Sequence, residues 1–254
     1  MKTILLTASA LALLAGVAAA DPVRVGIAAE PYPPFAAPDA AGNWVGWEVD
    51  IIGAVCAAAA LECEITPTAW DGIIPALTSG RIDVILSSMT ITEDRLQTID
   101  FSDPYYNTPT VIVGQRDMDF DATPEGLAGH VLGVQVSTIH QAYAQHYFEA
   151  ATELRTYQTQ DEANQDLAAG RIDATQADSL ALDDFLHTDA GACCEVKGVV
   201  AADESILGRG VGVGVRKGDD ALREQFNTGI AAIIANGTYD EITARYFATS
   251  ILGR

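Results

Sequence analysis

The feature that most constrains the fold of this 254-residue chain is an internal repeat. The motif L-x-x-G-R-I-D occurs at residues 77–83 and again, ninety residues later, at 167–173. In each copy the leucine is typical of a helix end, and the glycine, Gly80 or Gly170, suits the left-handed position that terminates a helix. The apolar residues that follow predict a buried strand. Two corners of the same helix-to-strand kind predict two similar α/β lobes.

The rest of the chain alternates segments that are typical of strands and helices. Short apolar runs predict strands at 23–28, 62–67, 84–88, 110–114, 131–135, 154–157 and 210–216. Amphipathic runs predict helices at 49–61, 71–79, 138–148, 161–169, 219–235 and 238–247. Asp71 is the expected N-cap of the second helix. No low-complexity linker divides the chain. We therefore expect ordered strands, which suit a hinge, to join lobe 1 (21–109 and 207–254) to lobe 2 (110–206).

Residues 1–20 are predicted to be a cleavable secretory signal peptide. Lys2 supplies a positive start, residues 4–15 are mostly apolar, and the small residues that follow place the expected cleavage after Ala20. A membrane anchor is the alternative, but the apolar run is short for one, and no later stretch reaches the ~20 apolar residues that span a bilayer. No cysteine lies near the cleavage site, so a lipid-anchored start is not supported.

Charge limits the partners of the chain. It carries 14 basic and 35 acidic side chains, a formal net charge of −21. Removal of residues 1–20 takes away Lys2, which leaves 13 basic against 35 acidic side chains and a charge of −22. This excess argues against nucleic acid and anionic membranes as partners, because both require a basic face. A small ligand is not excluded, since a pocket can differ in charge from the average surface.

The four cysteines suit an exported chain in which disulfides form. Cys56 and Cys63 are close enough in sequence for a local disulfide between a helix and a strand. Cys193 and Cys194 are adjacent, and because a bond between neighbours is strained, their state stays open. Such a pair could form half of a metal site, but no histidine or second cysteine pair lies nearby. We expect no metal and no cofactor.

Several predicted loops fall at the carboxyl ends of strands, where α/β sheets bind ligands. Arg95 suits bidentate contact with a carboxylate, and the amides of Thr90 and of the Thr138–Ile139 helix start suit the same anion. Asp178 suits an ammonium group, with help from the Thr90 hydroxyl and the Ser88 carbonyl. A fixed cation that faces a fixed anion fits a zwitterion.

Aromatic and acidic side chains complete the expected cleft. Tyr32 and Trp70 could sandwich an extended side chain, which cation–π attraction favours if that side chain is charged. Glu30 could then meet a distal amine or guanidinium. Thr92 is expected to cap the following helix. Further candidates on the same loops are Ser87, Met89, Ser137 and His140.

Each candidate also has a structural interpretation. Arg95 could pair with Glu93 or Asp94 at the surface. Asp178 could cap the helix that begins at Ser179, and the two aromatic rings could belong to the core. The functional interpretation therefore depends on all the segments together.

The chain contains, in this order, the segments YPPF, GWEVDIIGAV, WDGIIPAL, GRIDVILSSMTITEDR, IDFSDPYY and NGTYDEITARYF. Together they closely resemble the periplasmic polar amino-acid-binding proteins of ABC transporters, in the lysine/arginine/ornithine- and histidine-binding group. The resemblance covers nearly the whole mature chain. It implies an α/β, two-lobed periplasmic-binding-protein fold of type II. Each lobe would be a mixed sheet flanked by helices, with the ligand in the cleft between lobes.

The resemblance implies that Arg95 binds the α-carboxylate of the ligand with the amides of Thr90 and Ile139. It implies that Asp178, Thr90 and Ser88 bind the α-ammonium group. It also implies that Tyr32 and Trp70 sandwich the side chain and that Ser87 lines the cleft. It also implies the disulfide between Cys56 and Cys63. The chain departs from the family pattern at Ile139, where threonine is usual, and at His140, where an amide side chain is common. The segment that carries Glu30 is one residue longer than in some relatives.

The leading hypothesis is a periplasmic solute-binding protein of an ABC-type amino-acid uptake system. It would be a monomer and not an enzyme, would close on an L-amino acid (arginine, lysine or ornithine), and would deliver it to membrane permease subunits. A neutral polar or acidic amino acid is the alternative ligand. A second hypothesis is a cyclohexadienyl or arogenate dehydratase of the same fold, but no candidate general acid or base has an evident partner. A third is a sensor module that presents its ligand to a receptor.

Overall fold

A computed structural model describes residues 21–253. The predicted signal peptide at residues 1–20 lies outside the described residues. Within them, the chain forms two five-stranded sheets flanked by helices and a small two-stranded ribbon.

Most of the predicted strands and helices are present. The strands are β1 (Val23–Ala28), β2 (Ala37–Pro38), β3 (Trp44–Val45), β4 (Cys63–Thr68), β5 (Val84–Ile85), β6 (Ile99–Phe101), β7 (Thr110–Gln115), β8 (Val131–Gln135), β9 (Glu153–Tyr157), β10 (Ala174–Asp178), β11 (Cys194–Val199) and β12 (Gly214–Arg216). The helices are α1 (Trp47–Ala58), α2 (Ile73–Thr78), α3 (Glu93–Leu96), α4 (Ile139–Tyr147), α5 (Gln160–Ala168), α6 (Ser179–Leu186), α7 (Glu204–Leu207), α8 (Asp220–Ala235) and α9 (Thr238–Thr243).

Both sheets are mixed, as the fold prediction requires. The first has the order β4-β1-β5-β12-β6, in which β12 runs antiparallel to both of its neighbours. The second has the order β11-β7-β10-β8-β9, in which β7 runs antiparallel to both of its neighbours. The chain leaves the first sheet after β6 and returns to it at β12. The boundaries of the lobes at 109/110 and 206/207 stay predictions.

Two crossing segments, 102–109 and 200–213, connect the sheets and pair with each other. The Val211 N–H donates to the Tyr106 carbonyl at 2.8 Å, and the Tyr105 N–H donates to the Val211 carbonyl at 2.9 Å. Because this pairing holds both connections side by side, they suit a hinge between the lobes.

The two copies of the sequence repeat build the same corner. Their glycines have φ angles of 74° and 67°, which confirms the predicted left-handed helix ends. The Asp83 carboxylate accepts a hydrogen bond from the Arg24 N–H at 3.1 Å, and the Asp173 carboxylate accepts one from the Val131 N–H at 2.8 Å. Each aspartate therefore ties its corner to β1 or β8, a parallel strand of the same sheet.

Three local predictions are wrong. The strand expected at 210–216 begins only at Gly214, because residues 210–213 belong to the crossing segment that pairs with Tyr105 and Tyr106. The N-cap predicted at Asp71 is absent, because a 3-10 turn begins at Trp70, and Gly72 precedes α2 without a side-chain cap bond. The strand predicted at 84–88 is shorter than expected and comprises only Val84–Ile85 (β5). Soon after it, Ser88 has a φ of 51° and turns the chain out of the sheet.

An aromatic cluster around Trp47 forms part of the core of the first lobe. The fully buried indole donates its N–H to Thr243 Oγ1 at 3.1 Å and packs edge-on against Phe35 and Tyr106. Phe35 in turn stacks on Tyr32, with ring centroids 5.8 Å apart. The cluster thereby supports the loop that follows β1.

The disulfide implied for Cys56 and Cys63 is present and joins α1 to β4. Cys193 and Cys194 are bonded to each other. Residues 21–253 contain no group of three or more histidine, cysteine, aspartate or glutamate side chains that could hold a metal ion. None of the helices in this range combines the length and the apolar character that crossing a membrane requires.

Candidate functional site

A cavity of about 670 Å³, its mouth included, lies between the two sheets. Its walls come from loops after β1 and β5, from α1 and α3, and from the ends of β8 and β10 with the start of α4. Eleven of the thirteen predicted site residues line it: Glu30, Tyr32, Trp70, Ser87, Ser88, Thr90, Arg95, Thr138, Ile139, His140 and Asp178. The carboxyl ends of β1, β8 and β10 thus meet at one place, as the rule for such sheets predicts.

The backbone of α3 and two carbonyl groups position Arg95. Thr92 Oγ1 accepts a hydrogen bond from the Arg95 N–H at 3.2 Å, which confirms the predicted helix cap. Arg95 Nη1 donates to the Thr90 carbonyl at 2.8 Å, and Nη2 donates to the Ser137 carbonyl of the other lobe at 3.4 Å. The guanidinium also lies 5.6 Å from the ring centroid of Trp70.

The charge of Arg95 is not balanced within the described part of the chain. It forms no ion pair there, and Glu93 instead lies 3.8 Å from Arg209, so the surface-pair interpretation is wrong. Burial lowers the pKa of Arg95 to about 10. A half-buried guanidinium that donates to neutral carbonyls can still bind an anionic group of a ligand.

Asp178 ends β10 and supplies an anion to the cavity. Its Oδ1 accepts a hydrogen bond from Thr108 Oγ1 at 2.6 Å, and its Oδ2 accepts one from the Tyr32 hydroxyl at 3.1 Å. His140 Nε2 lies 3.9 Å from the same Oδ2. Burial raises the pKa of Asp178, but the neighbouring imidazole and hydroxyls outweigh burial and hold that pKa below its usual value. Asp178 occupies the N-cap position of α6, but its carboxylate makes no cap bond to that helix.

The start of α4 supplies N–H donors from the second lobe. Thr138 is its N-cap, and Thr138 Oγ1 accepts a hydrogen bond from the Gln141 N–H at 3.1 Å. Ile139 is the first helical residue, and the N–H groups of a first turn have no partner within the helix. They suit an anion. His140 follows, is buried, and places Nδ1 3.3 Å from Thr110 Oγ1.

Glu30 and Trp70 position each other. Glu30 Oε2 accepts a hydrogen bond from the Trp70 N–H at 3.0 Å. Trp70 Nε1 donates to the Ser137 carbonyl, across the cleft, at 3.3 Å. The indole therefore contacts both lobes.

Two predicted residues do not line the cavity. Met89 is buried in the core of the first lobe beside Ile73, so the expectation that it lines the cleft is not met. Ser137 has a φ of 60° and contributes its carbonyl oxygen to Trp70 and Arg95.

Four polar residues of the site are not among those predicted from the sequence: Glu48, Thr108, Gln135 and Gln160. Gln135 is the last residue of a predicted strand, and the carboxyl-end rule could have found it. Gln160 is the first residue of α5. Glu48 is an acidic residue of an amphipathic helix, a pattern typical of a solvent-facing position, yet it is 1% exposed.

This geometry can be compared with known proteins. The sequence profile of the bacterial extracellular solute-binding proteins, family 3, matches residues 23–249. The chain belongs to this family.

Relatives of this family 3 protein cover nearly all of it. The L-arginine-binding protein of Pseudomonas aeruginosa is 42% identical over 99% of this chain and 98% of its own length. The lysine/arginine/ornithine-binding periplasmic protein of Escherichia coli is 33% identical over 96% of this chain and 97% of its own length. A solved structure of an ancestral arginine-binding protein bound to arginine has a TM-score of 0.81 at 32% identity, over 89% of this chain and 98% of its own. These matches confirm the predicted family and the two-lobed α/β fold.

Proposed function

We propose that this protein is the periplasmic binding component of an amino-acid uptake system and holds a free L-amino acid between its lobes. The observation that carries the proposal is the pairing of two charges in one cavity. Arg95 has no ion-pair partner among residues 21–253, and Asp178 is held in its anionic form. The α-carboxylate of an amino acid binds Arg95 and the start of α4, and its α-ammonium group binds Asp178.

The cavity favours a ligand with a cationic side chain. Among the described residues, its wall carries three carboxylates (Glu30, Glu48 and Asp178) and one guanidinium (Arg95). A neutral zwitterion leaves this negative excess unchanged, whereas arginine, lysine or ornithine reduces it. Relatives named for arginine, or for lysine, arginine and ornithine together, support the same ligand class.

Binding and delivery, rather than catalysis, fit the groups in the cleft. Asp178 does not suit the role of general acid, because a general acid must hold a proton at the working pH and the surroundings of Asp178 lower its pKa. In the proposed cycle, the lobes close on the amino acid outside the cytoplasm, and the closed form docks on a membrane permease. The predicted signal peptide and the periplasmic relatives support this location.

Isothermal titration calorimetry of the mature protein tests the proposal. We expect binding of arginine, lysine or ornithine, weaker binding of glutamine and histidine, and no binding of glutamate. Absence of heat with all common amino acids would contradict it. Incubation with prephenate or arogenate tests the dehydratase alternative, and we expect no aromatic product.

Glu30 provides a test of the ligand class. In Glu30→Gln, the amide oxygen still accepts the hydrogen bond from the Trp70 N–H, so the loop keeps its support while the charge is lost. We expect arginine to bind more weakly by about 1.5–3 kcal/mol, the contribution of a hydrogen bond to a charged group. Glutamine is the control ligand, and its affinity should change little. Equal losses for both ligands would show that Glu30 acts on the fold of the loop and not on the distal cation.

A further inference from the structure

Glu48 is a buried acid whose only role so far is its contribution to the negative charge of the cavity wall. It is the second residue of α1, it is 1% exposed, and it lines the same cavity as Asp178. Within residues 21–253 no lysine, arginine or histidine side chain forms an ion pair with it. A buried carboxylate without a cation is costly unless hydrogen bonds or a ligand compensate its charge.

Three hydrogen bonds hold the Glu48 carboxylate. Oε1 accepts from the Ser88 N–H at 2.8 Å and from the Tyr105 hydroxyl, and Oε2 accepts from Ser88 Oγ at 3.0 Å. Ser88 has a φ of 51°, a left-handed conformation that residues other than glycine rarely adopt. The N–H and the hydroxyl of Ser88 both donate to the Glu48 carboxylate. Glu48 therefore stabilises the turn that leads from β5 to Thr90.

Asp178 is the charged neighbour that acts on the ionisation of Glu48, and Arg95 and His140 line the same cavity. Burial raises the pKa of Glu48, the hydrogen bonds from Tyr105 and Ser88 oppose that rise, and the negative charge of Asp178 adds to it. Tyr32 and Tyr106 belong to the aromatic cluster around Trp47. Burial raises the pKa values of both hydroxyls well above the usual range, so both are neutral. A cation bound beside Asp178 would therefore favour the ionised form of Glu48.

We propose that Glu48 is a positioning residue of the amino-acid site. It holds Ser88 in its left-handed conformation and places a second buried negative charge behind Asp178, which the ligand's ammonium group balances. The inference rests on the proposed function.

This arrangement links binding to protonation. The ligand binds more tightly to the form with ionised Glu48, so affinity falls as the pH falls through the pKa of Glu48 in the free protein. Conversely, binding lowers that pKa, and any Glu48 that is protonated at the start releases its proton on binding. Calorimetry in two buffers of different ionisation enthalpy measures that release.

The test compares the arginine affinities of wild type, Glu48→Gln and Asp50→Asn between about pH 8 and about pH 4.5, the lower end being close to the usual pKa of a free glutamate. Glu48→Gln keeps the size of the side chain and one acceptor oxygen. We expect it to bind about tenfold more weakly at pH 8, which corresponds to one pKa unit of lost interaction. We also expect its affinity to fall less at acid pH and its proton release to vanish. Asp50→Asn is the matched control on the same helix, because Asp50 contacts Arg245 and Tyr246 at the surface.

A second variant leaves the charge in place. Tyr105→Phe removes one hydrogen bond that lowers the pKa of Glu48. In this variant we expect the affinity for arginine to begin to fall at a higher pH than in wild type. A merely structural role of Glu48 would not produce this shift. If Glu48→Gln does not fold, Tyr105→Phe alone tests the proposed role of Glu48. Unchanged affinity and pH profiles in the variants, with normal binding by wild type, would overturn the inference alone. A wild type that binds no amino acid would overturn the proposed function and this inference together.

Discussion

We expect Arg95 to act on ligand binding more than on folding, because its guanidinium donates to carbonyl oxygens and forms no ion pair among residues 21–253. We expect Arg95→Ala to weaken amino-acid binding by about 3 kcal/mol or more, since a bidentate charge-assisted contact is lost. The melting temperature without ligand should change little. Arg116→Ala is the control, because Arg116 is exposed and lies 3.6 Å from Glu195. Calorimetry and thermal unfolding measure both effects, and retention of wild-type affinity by Arg95→Ala would contradict the assigned role.

Single residues also show how far the sequence predicts the site. Asp178 is recognisable because it lies at the carboxyl end of a strand, where such sheets bind ligands. Arg95 is recognisable as a guanidinium in the segment that leads away from β5. Glu48 cannot be recognised in the same way, because an acidic residue on a helix is usually exposed to solvent. Only the structure, in which the crossing segment packs against it through Tyr105, shows that Glu48 is buried. Ser137 acts through its carbonyl, and backbone groups leave no pattern in the sequence. Met89 follows a turn at Ser88 that the apolar pattern did not indicate.

Two glycines within helices provide a prediction for the packing of α1 against α8. A Cβ at Gly53 in α1 would have no other atom within 4 Å, whereas a Cβ at Gly229 in α8 would lie 2.7 Å from the Val55 carbonyl oxygen. Alanine is the better helix former by about 0.8–1.0 kcal/mol, so we expect Gly53→Ala to stabilise the protein by roughly that amount. Gly229→Ala forces α8 away from α1, and overpacking of this kind costs about 1–3 kcal/mol.

Urea unfolding measures both changes in stability. We expect the urea concentration at the midpoint to rise for Gly53→Ala and to fall for Gly229→Ala, while the dependence of the free energy of unfolding on urea concentration stays constant. The pair controls for helix propensity, because both substitutions are the same change within a helix. A stabilising Gly229→Ala would show that α1 and α8 are not held as close as the structure indicates.

The elements that the sequence predicts are those with a local signal. The repeat predicts two corners, since the glycine fits the left-handed position and the aspartate caps a strand in both copies. Thr138 and Asp219 mark helix starts, and their side chains accept bonds from the first turns of α4 and α8. The ribbon β2–β3, the strands β6 and β11 and the helix α7 are absent from the prediction. The pairing register of β11 shifts between Val196 and Gly198. Elements of two to four residues are too short for a period, and pairing with distant segments stabilises them.

At the scale of the whole molecule, side-chain hydrogen bonds cross the cleft at few places, and Leu180 and Ala181 of α6 add apolar contact with the core of the first lobe. The Tyr32 hydroxyl donates to Asp178, and both Trp70 and Arg95 donate to the Ser137 carbonyl. Such contacts contribute little net stability, because water replaces them when they break. The two paired crossing segments are the covalent connections between the sheets. We therefore expect a ligand that binds both lobes to set the equilibrium between their open and closed arrangements.

Closure should be visible in scattering and in fluorescence. Small-angle X-ray scattering of the purified mature protein is expected to give a smaller radius of gyration when arginine is added, because the ligand stabilises the form in which both lobes contact it. Trp70 lies in the cleft, whereas Trp47 is fully buried and Trp44 lies in the ribbon. The tryptophan emission should therefore change on binding, and Trp70→Phe should remove most of that change while Trp44→Phe keeps it. Tight binding with identical scattering curves would show that the lobes bind the amino acid without moving.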